Sequence, residues 1–114
     1  MLQHGLLCDA SSWLLNTASQ SLALTLATRG YDVWLANSRG TRYGLRHKSL
    51  APDESKFWDF SFEEMASYDL PAVIDFITNS IGKSLHFVGH SQGELNGEYI
   101  LQELRWHDAT RGVE

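Results

Sequence analysis

Gly89-His90-Ser91-Gln92-Gly93 has the residue types and the spacing for nucleophilic chemistry. It follows a short apolar run, Leu85-His86-Phe87-Val88. A G-x-S-x-G string directly after a strand is the signature of a nucleophile elbow, a sharp strand-to-helix turn that presents a serine hydroxyl. A serine held at positive φ is strained, and Cβ atoms two positions to either side of it would clash. Gly89 and Gly93 remove those clashes, which leaves Ser91 as the candidate nucleophile. Such a hydroxyl needs a base to take its proton and donors to hold the oxyanion its attack creates. The competing account is a chance match, since glycine and serine are common in loops.

The elements that would position this turn come earlier in the chain. Leu2-Gln3-His4-Gly5-Leu6-Leu7 is too short to be a full strand with flanks. A His-Gly loop after a strand can supply one backbone N–H of an oxyanion hole, with glycine letting the backbone turn and approach closely. On that reading Gly5 shapes the loop, Leu6 N–H is the donor, and His4 is structural. A frayed terminus without a role is the alternative. Residues 19–30 read as a helix, with Leu22/Leu26 and Ala23/Ala27 as its apolar pairs, Ser19 or Ser21 as the cap and Gly30 as the stop. Tyr31 to Ala36 reads as a strand buried on both faces. The polar, glycine-marked 37–44 stretch is a loop. Its arginines, with Arg46, suit either phosphate binding or solvation, and the nearby acids favour solvation.

Residues 45–60 look irregular, and Phe57, Trp58 and Phe60 either pin a loop to the core or line a lipid site. Ser61 and Glu64 form a capping box, and apolar positions carry a helix to about Asn79. Pro71 inside that pattern either kinks one helix or starts a second, and Gly82 ends it. The order is strand, helix, strand, helix, strand, elbow. It predicts an α/β fold with a parallel sheet, helices on both faces and a site beyond the carboxyl ends of the strands. His4 to Leu6, Asn37 to Arg39 and Ser91 then converge on one side of the sheet.

Composition narrows the function classes. The 114 residues carry a net charge of −5 and no basic run, which argues against nucleic acid as a partner. There is no C-x-x-C or H-E-x-x-H metal motif, and Cys8 is the single cysteine. No signal-peptide pattern and no apolar stretch approaching a membrane span is present.

Several strings together resemble the acid lipases, the family of gastric and lysosomal acid lipases. They are His4-Gly5-Leu6-Leu7, Ser12-Trp13, Ser21-Leu22-Ala23, Tyr31 to Leu35 with Asn37-Ser38-Arg39-Gly40, and Phe57-Trp58 with Ser61 to Met65. Tyr68 to Ala72, Ile74 to Ile77 and Gly89 to Gly93 complete the set. The resemblance runs from about residue 2 to 93. It implies a partial α/β-hydrolase fold of three central parallel strands with flanking helices, ending just after the elbow. It also implies a neutral-lipid ester substrate, triacylglycerol or cholesteryl ester, and no metal or organic cofactor. Ser91 matches the family's nucleophile, and Leu6 and Gln92 match the oxyanion donors. Family members are secreted or lysosomal, which the missing leader pattern opposes.

The pattern then breaks. In this fold the triad runs serine, acid, histidine along the chain. After Ser91 come only His107 and Asp108, adjacent and reversed, and along a helix His107 would lie about 24 Å from Ser91. His86 sits in a strand, His90 beside the nucleophile with its side chain turned elsewhere, and His47 on a loop where nothing favours it. Residues 94–114 hold five acids and two arginines, with only a ragged apolar stripe through Leu95, Tyr99, Leu101, Leu104 and Trp106. A buried helix would not tolerate unpaired carboxylates there. The expected division is thus a hydrolase-like unit over 1–93 and a divergent acidic tail over 94–114. Without triad acid and base the chain is expected to be inactive. The runner-up is a non-catalytic lipid-binding or dimerising fragment, with lipid-surface contact or self-association through two open sheet edges. An unrelated fold with a chance elbow is the third reading.

Overall fold

The computed structural model describes residues 1–111, with side chains through residue 102. Three two-residue strands form one parallel sheet: β1 (Leu2–Gln3), β2 (Leu35–Ala36) and β3 (Val88–Gly89), in the order β2-β1-β3. Leu2 pairs with Leu35 and Val88, and Gln3 with Ala36 and Gly89. The ladder continues beyond the strands, with Leu2 N–H donating to Trp34 O (2.8 Å) and His90 N–H to Gln3 O (3.1 Å). The chain leaves β1 for β2 on one side and later adds β3 on the other. The order therefore reverses at the carboxyl end of β1, the place where open α/β sheets hold ligands.

The stretch too short to read as a full strand is thus the central one. The expectation of a strand buried on both faces at 31–36 is corrected: β2 is an edge, Tyr31 is 55 % exposed, and of the run only Ala36 is fully buried. Helix α1 (Leu22–Thr28) is capped by Ser21, whose hydroxyl accepts Leu24 N–H and donates to Trp13 O at 2.6 Å. Its expected apolar stripe packs only through Ala23 and in part Leu26, for Leu22 and Leu24 are exposed. A 3-10 turn, Ala10–Leu14, precedes it, and another, Ser55–Trp58, carries the aromatic run.

Helix α2 (Phe62–Glu64) opens with the capping box expected at Ser61 and Glu64. It passes through a wide π turn, Met65–Asp69, into α3 (Leu70–Ile81), which Gly82 closes at φ +68°. Pro71 explains the wide turn. Its ring has no N–H to give and collides with the carbonyl four residues back, so the preceding turn opens. Leu70 N–H bonds to Met65 O, five residues back. The backbone stays helical through the proline, so the two readings of Pro71 merge: one continuous path, with Pro71 in the first turn of α3.

Helix α4 (Gln92–Arg111) follows the elbow. Its packed face is Gly93, Asn96, Gly97 and Ile100, at helical spacing of three and four. Of the stripe read from the sequence, Leu95 and Leu101 are 58 % and 61 % exposed and Tyr99 is half-buried, while the side chains of Leu104 and Trp106 lie outside the described residues. The early end expected at Gly93 rested on burying carboxylates, and Glu94 and Glu98 stand exposed on the opposite face. The core between sheet, α3 and α4 contains Met1, Ala36, Leu70 and Ile77, with Trp34, Phe87 and Ile100 packed against it. The chain exposes 8427 Å², against roughly 6,300 Å² for a compact monomer of its mass.

The capping box titrates. The Ser61 hydroxyl first, then backbone N–H groups, hold the Glu64 carboxyl below the usual carboxylate range. A depressed folded pKa means the contribution is complete above the ordinary value, about 4.3, and is lost as pH falls through the lower folded value. Ser61→Ala is expected to move the Glu64 midpoint up toward the ordinary value in an NMR carboxyl titration, with a lower urea midpoint at neutral pH. An unmoved midpoint contradicts this.

Candidate active site

The site begins with backbone. Ser91 lies between β3 and α4 at φ +56°, is exposed, and its carbonyl accepts Glu94 N–H at 2.9 Å to start the helix. Positive φ is unusual for a side-chain-bearing residue and persists only where surroundings enforce it. Three glycines mark the enforcing contacts. A Cβ at Gly89 would lie 2.5 Å from Glu94 N and 2.7 Å from Gly93 C. A Cβ at Gly93 would lie 2.7 Å from the carbonyl oxygens of both Gln3 and His4. A Cβ at Gly5 would lie 3.0 Å from Ser91 Cβ and 3.1 Å from His90 O. The elbow therefore closes on itself through Gly89, on β1 through Gly93, and on the loop after β1 through Gly5.

That loop holds a second unusual residue. Cys8 N–H donates to Gly5 O at 3.2 Å, closing a turn with Leu7 at φ +58° and 98 % exposed. Nothing in the sequence marked Leu7. Leu6 N–H and Gln92 N–H donate to no acceptor among the described residues, Gln92 because it opens α4.

Beneath the loop lies a buried polar layer of Gln3, His4 and Ser38. His4 Nδ1 donates to Gly5 O (2.8 Å), and Nε2 accepts Ser38 N–H (3.1 Å). Both ring nitrogens are thereby used, in one neutral tautomer, and His4 ties the loop after β1 to the loop after β2. Gln3 Nε2 donates to Ser38 Oγ at 3.0 Å. Asn37 Oδ1 accepts Ala10 N–H at 2.9 Å. Asp9 accepts Ser11 N–H (2.8 Å) and pairs with Arg42 (2.9 Å), and both hold its carboxyl below the usual range, the Ser11 bonds most.

The arginine loop is more than solvated. Arg39 clamps Asp69 in the π turn, with Nη2···Oδ1 at 2.5 Å and Nε 2.9 Å from both oxygens, while its own N–H reaches Oδ2 at 3.2 Å. A cleft of about 420 Å³ runs beside the Leu6–Leu7 turn, with Trp58, Phe60 and Met65 on its apolar side. Phe57 is buried and Trp58 is 46 % exposed, so the aromatic run both pins its loop and lines a cleft. On the other flank His90 meets Trp13 edge to face at 6.4 Å.

The three expected loops thus lie at one end of the sheet, with the loop after β1 against Ser91 and tied through His4 to the loop after β2. Among the described residues no histidine joins them as a base. His4 is spent, the His47 Nδ1 accepts from Ser49 and Leu50 N–H, and His86 and His90 make no hydrogen bond to Ser91. The side chains of His107 and Asp108 lie outside the described residues. Among the described residues no group of three or more His, Cys, Asp or Glu could hold a metal, and no helix is long and apolar enough to cross a membrane.

A parallel sheet with flanking helices and a serine at the strand-to-helix turn is a partial α/β-hydrolase fold. No family model matches the chain. It is 50 % identical over 113 residues to triacylglycerol lipase 2 of Arabidopsis thaliana, covering 99 % of this chain and 27 % of that protein. It is 57 % identical over 97 residues to human gastric triacylglycerol lipase (84 % of this chain, 24 % of the relative). It is 52 % identical over 104 residues to human lysosomal acid lipase/cholesteryl ester hydrolase (90 % and 26 %). The chain is a segment of the acid lipase family, spanning about a quarter of the length of these relatives. The plant match runs past Gly93 into α4.

Gly93→Ala is expected to destabilise the chain by about 2 kcal/mol or more in urea unfolding, because the methyl meets two backbone carbonyls that cannot rotate away. Gly97→Ala meets only the Phe87 ring, at 2.7 Å, and is expected to cost less. Equal costs would contradict the close-approach argument.

Proposed function

We propose that this segment is the nucleophile-bearing part of a lipid-ester hydrolase. The observation that carries the reading is Ser91, exposed at φ +56°, with the unengaged N–H groups of Leu6 and Gln92 to either side in the chain order of an oxyanion hole. Ser91 Oγ would attack the ester carbonyl carbon where a histidine base, which the described residues do not supply, takes its proton and later returns it to the leaving alcohol. The carbonyl oxygen becomes an oxyanion, which Leu6 N–H and Gln92 N–H receive, each contributing roughly 3 kcal/mol. Collapse expels the alcohol and leaves an acyl-serine that water hydrolyses. Gly89 and Gly93 keep the elbow tight. The apolar cleft beside Leu6 and the names of the relatives support triacylglycerol or cholesteryl ester as the substrate class.

No base stands at Ser91 among the described residues, so the 114-residue chain by itself is proposed to be inactive. The test grafts this chain in place of the aligned segment of human gastric triacylglycerol lipase. The graft is expected to hydrolyse tributyrin and to lose at least about 10⁴-fold in kcat with Ser91→Ala. A folded graft without activity, or one indifferent to Ser91→Ala, would overturn the reading. The isolated chain and its Ser91→Ala variant are expected to turn over p-nitrophenyl butyrate equally.

A second reading, a non-catalytic fragment that binds lipid or pairs with a copy of itself, is favoured by the surplus exposed surface. It expects a stable complex in sedimentation and no labelling by a fluorophosphonate. A monomer that labels at Ser91 excludes it.

A further inference from the structure

A second cavity, about 440 Å³, lies across the Arg39 and Phe60 side chains from the cleft beside Leu6, and those two residues wall both spaces. Arg39 sits over the Phe60 ring, with Cζ 5.6 Å from its centroid. The floor is apolar: Phe57 is buried, and Leu50 and Phe60 are half-buried. The rim is cationic, with Arg46 and Lys56 exposed there and in no salt bridge among the described residues. His47 adds a donor. Its Nδ1 is occupied as an acceptor from Ser49 N–H (3.1 Å) and Leu50 N–H (3.0 Å), which fixes the ring proton on Nε2. The carboxylates lining the cavity are Asp59 and Asp69, and Asp69 is already taken by Arg39. Among the lining residues three cations stand against two carboxylates, an excess of one, with Glu64 the next carboxylate near Arg39, in a chain whose net charge is −5.

We infer that this cavity binds the head of a singly charged amphiphile, an alkyl carboxylate. The aromatic and aliphatic floor takes hydrocarbon, as apolar pockets with a few placed polar groups do. The unpaired Arg46 and Lys56 and the His47 Nε2–H supply charge-assisted hydrogen bonds to a carboxylate. The single excess charge suits a monoanion over a phosphate dianion. Ester hydrolysis at Ser91 would release a molecule of this class nearby. Binding is read without turnover, so this inference and the hydrolase reading fail separately.

The experiment titrates the full chain with decanoate, decanol and decyl phosphate, each below its aggregation concentration, by calorimetry and by 13C NMR of the labelled carboxyl. Decanoate is expected to bind one to one, and decanol about tenfold more weakly or worse. The double variant Arg46→Gln/Lys56→Gln is expected to weaken decanoate about tenfold, because both side chains are exposed and their loss leaves the fold intact. Arg29→Gln, the loss of one positive charge at the C-cap of α1, is expected to leave binding unchanged, as is Ser91→Ala. Absent decanoate binding, equal affinity for decanol, tighter binding of decyl phosphate, or an equal loss with Arg29→Gln would each overturn the assignment.

Discussion

At Gly93 the backbone of α4 lies against the last two carbonyls of β1, in a space that cannot hold one methyl group. Much of the site follows from that contact. A helix seated so close to the central strand must begin immediately after β3, so the connection has no residues to spare. The turn is made by Ser91 at positive φ, and the strain is held by contacts with Gly5, Gly89 and Gly93. The same closeness selects the packed face of α4. Gly93, Asn96 and Gly97 face inward because large side chains would push the helix away from the sheet.

Polar groups at the strand ends fix the loops in place. Gln3, His4 and Ser38 are buried at the carboxyl ends of β1 and β2, and their mutual hydrogen bonds remove the cost of burying them. Arg39 and Asp69 do the same between the β2 loop and the π turn, and Asp9 with Arg42 between the β1 and β2 loops. Each link joins segments distant in sequence. The serine turn is therefore supported by backbone contact below and by directional polar links at its side. Electrostatics here sets geometry more than stability, since partly exposed pairs contribute little.

Pro71 shows how one residue reaches a distant site. It widens the turn before it, and the widened turn carries Asp69, the partner of Arg39. Arg39 and Phe60 then wall both cavities. An aromatic run that sequence reading left between pinning and lining does each through a different residue, with Phe57 buried and Trp58 open to the cleft.

What the sequence determined by itself was local. The G-x-S-x-G spacing after an apolar run, the Ser61–Glu64 box, a serine cap at Ser19 or Ser21 and the Gly82 stop depend on residues within a few positions of one another, and all four are seen, the cap at Ser21. The convergence of three loops was also legible, because alternating strands and helices leave a parallel sheet few ways to form. Tertiary structure alone decided what depends on neighbours far along the chain. It made Leu2–Gln3 the central strand and 31–36 an edge, although the longer apolar run looked the more buried. It turned Gly93, Gly97 and Asn96 of α4 inward and Leu95, Leu101, Glu94 and Glu98 outward. A composition count reads such a helix backwards, because small residues signal burial only once a backbone is known to lie against them.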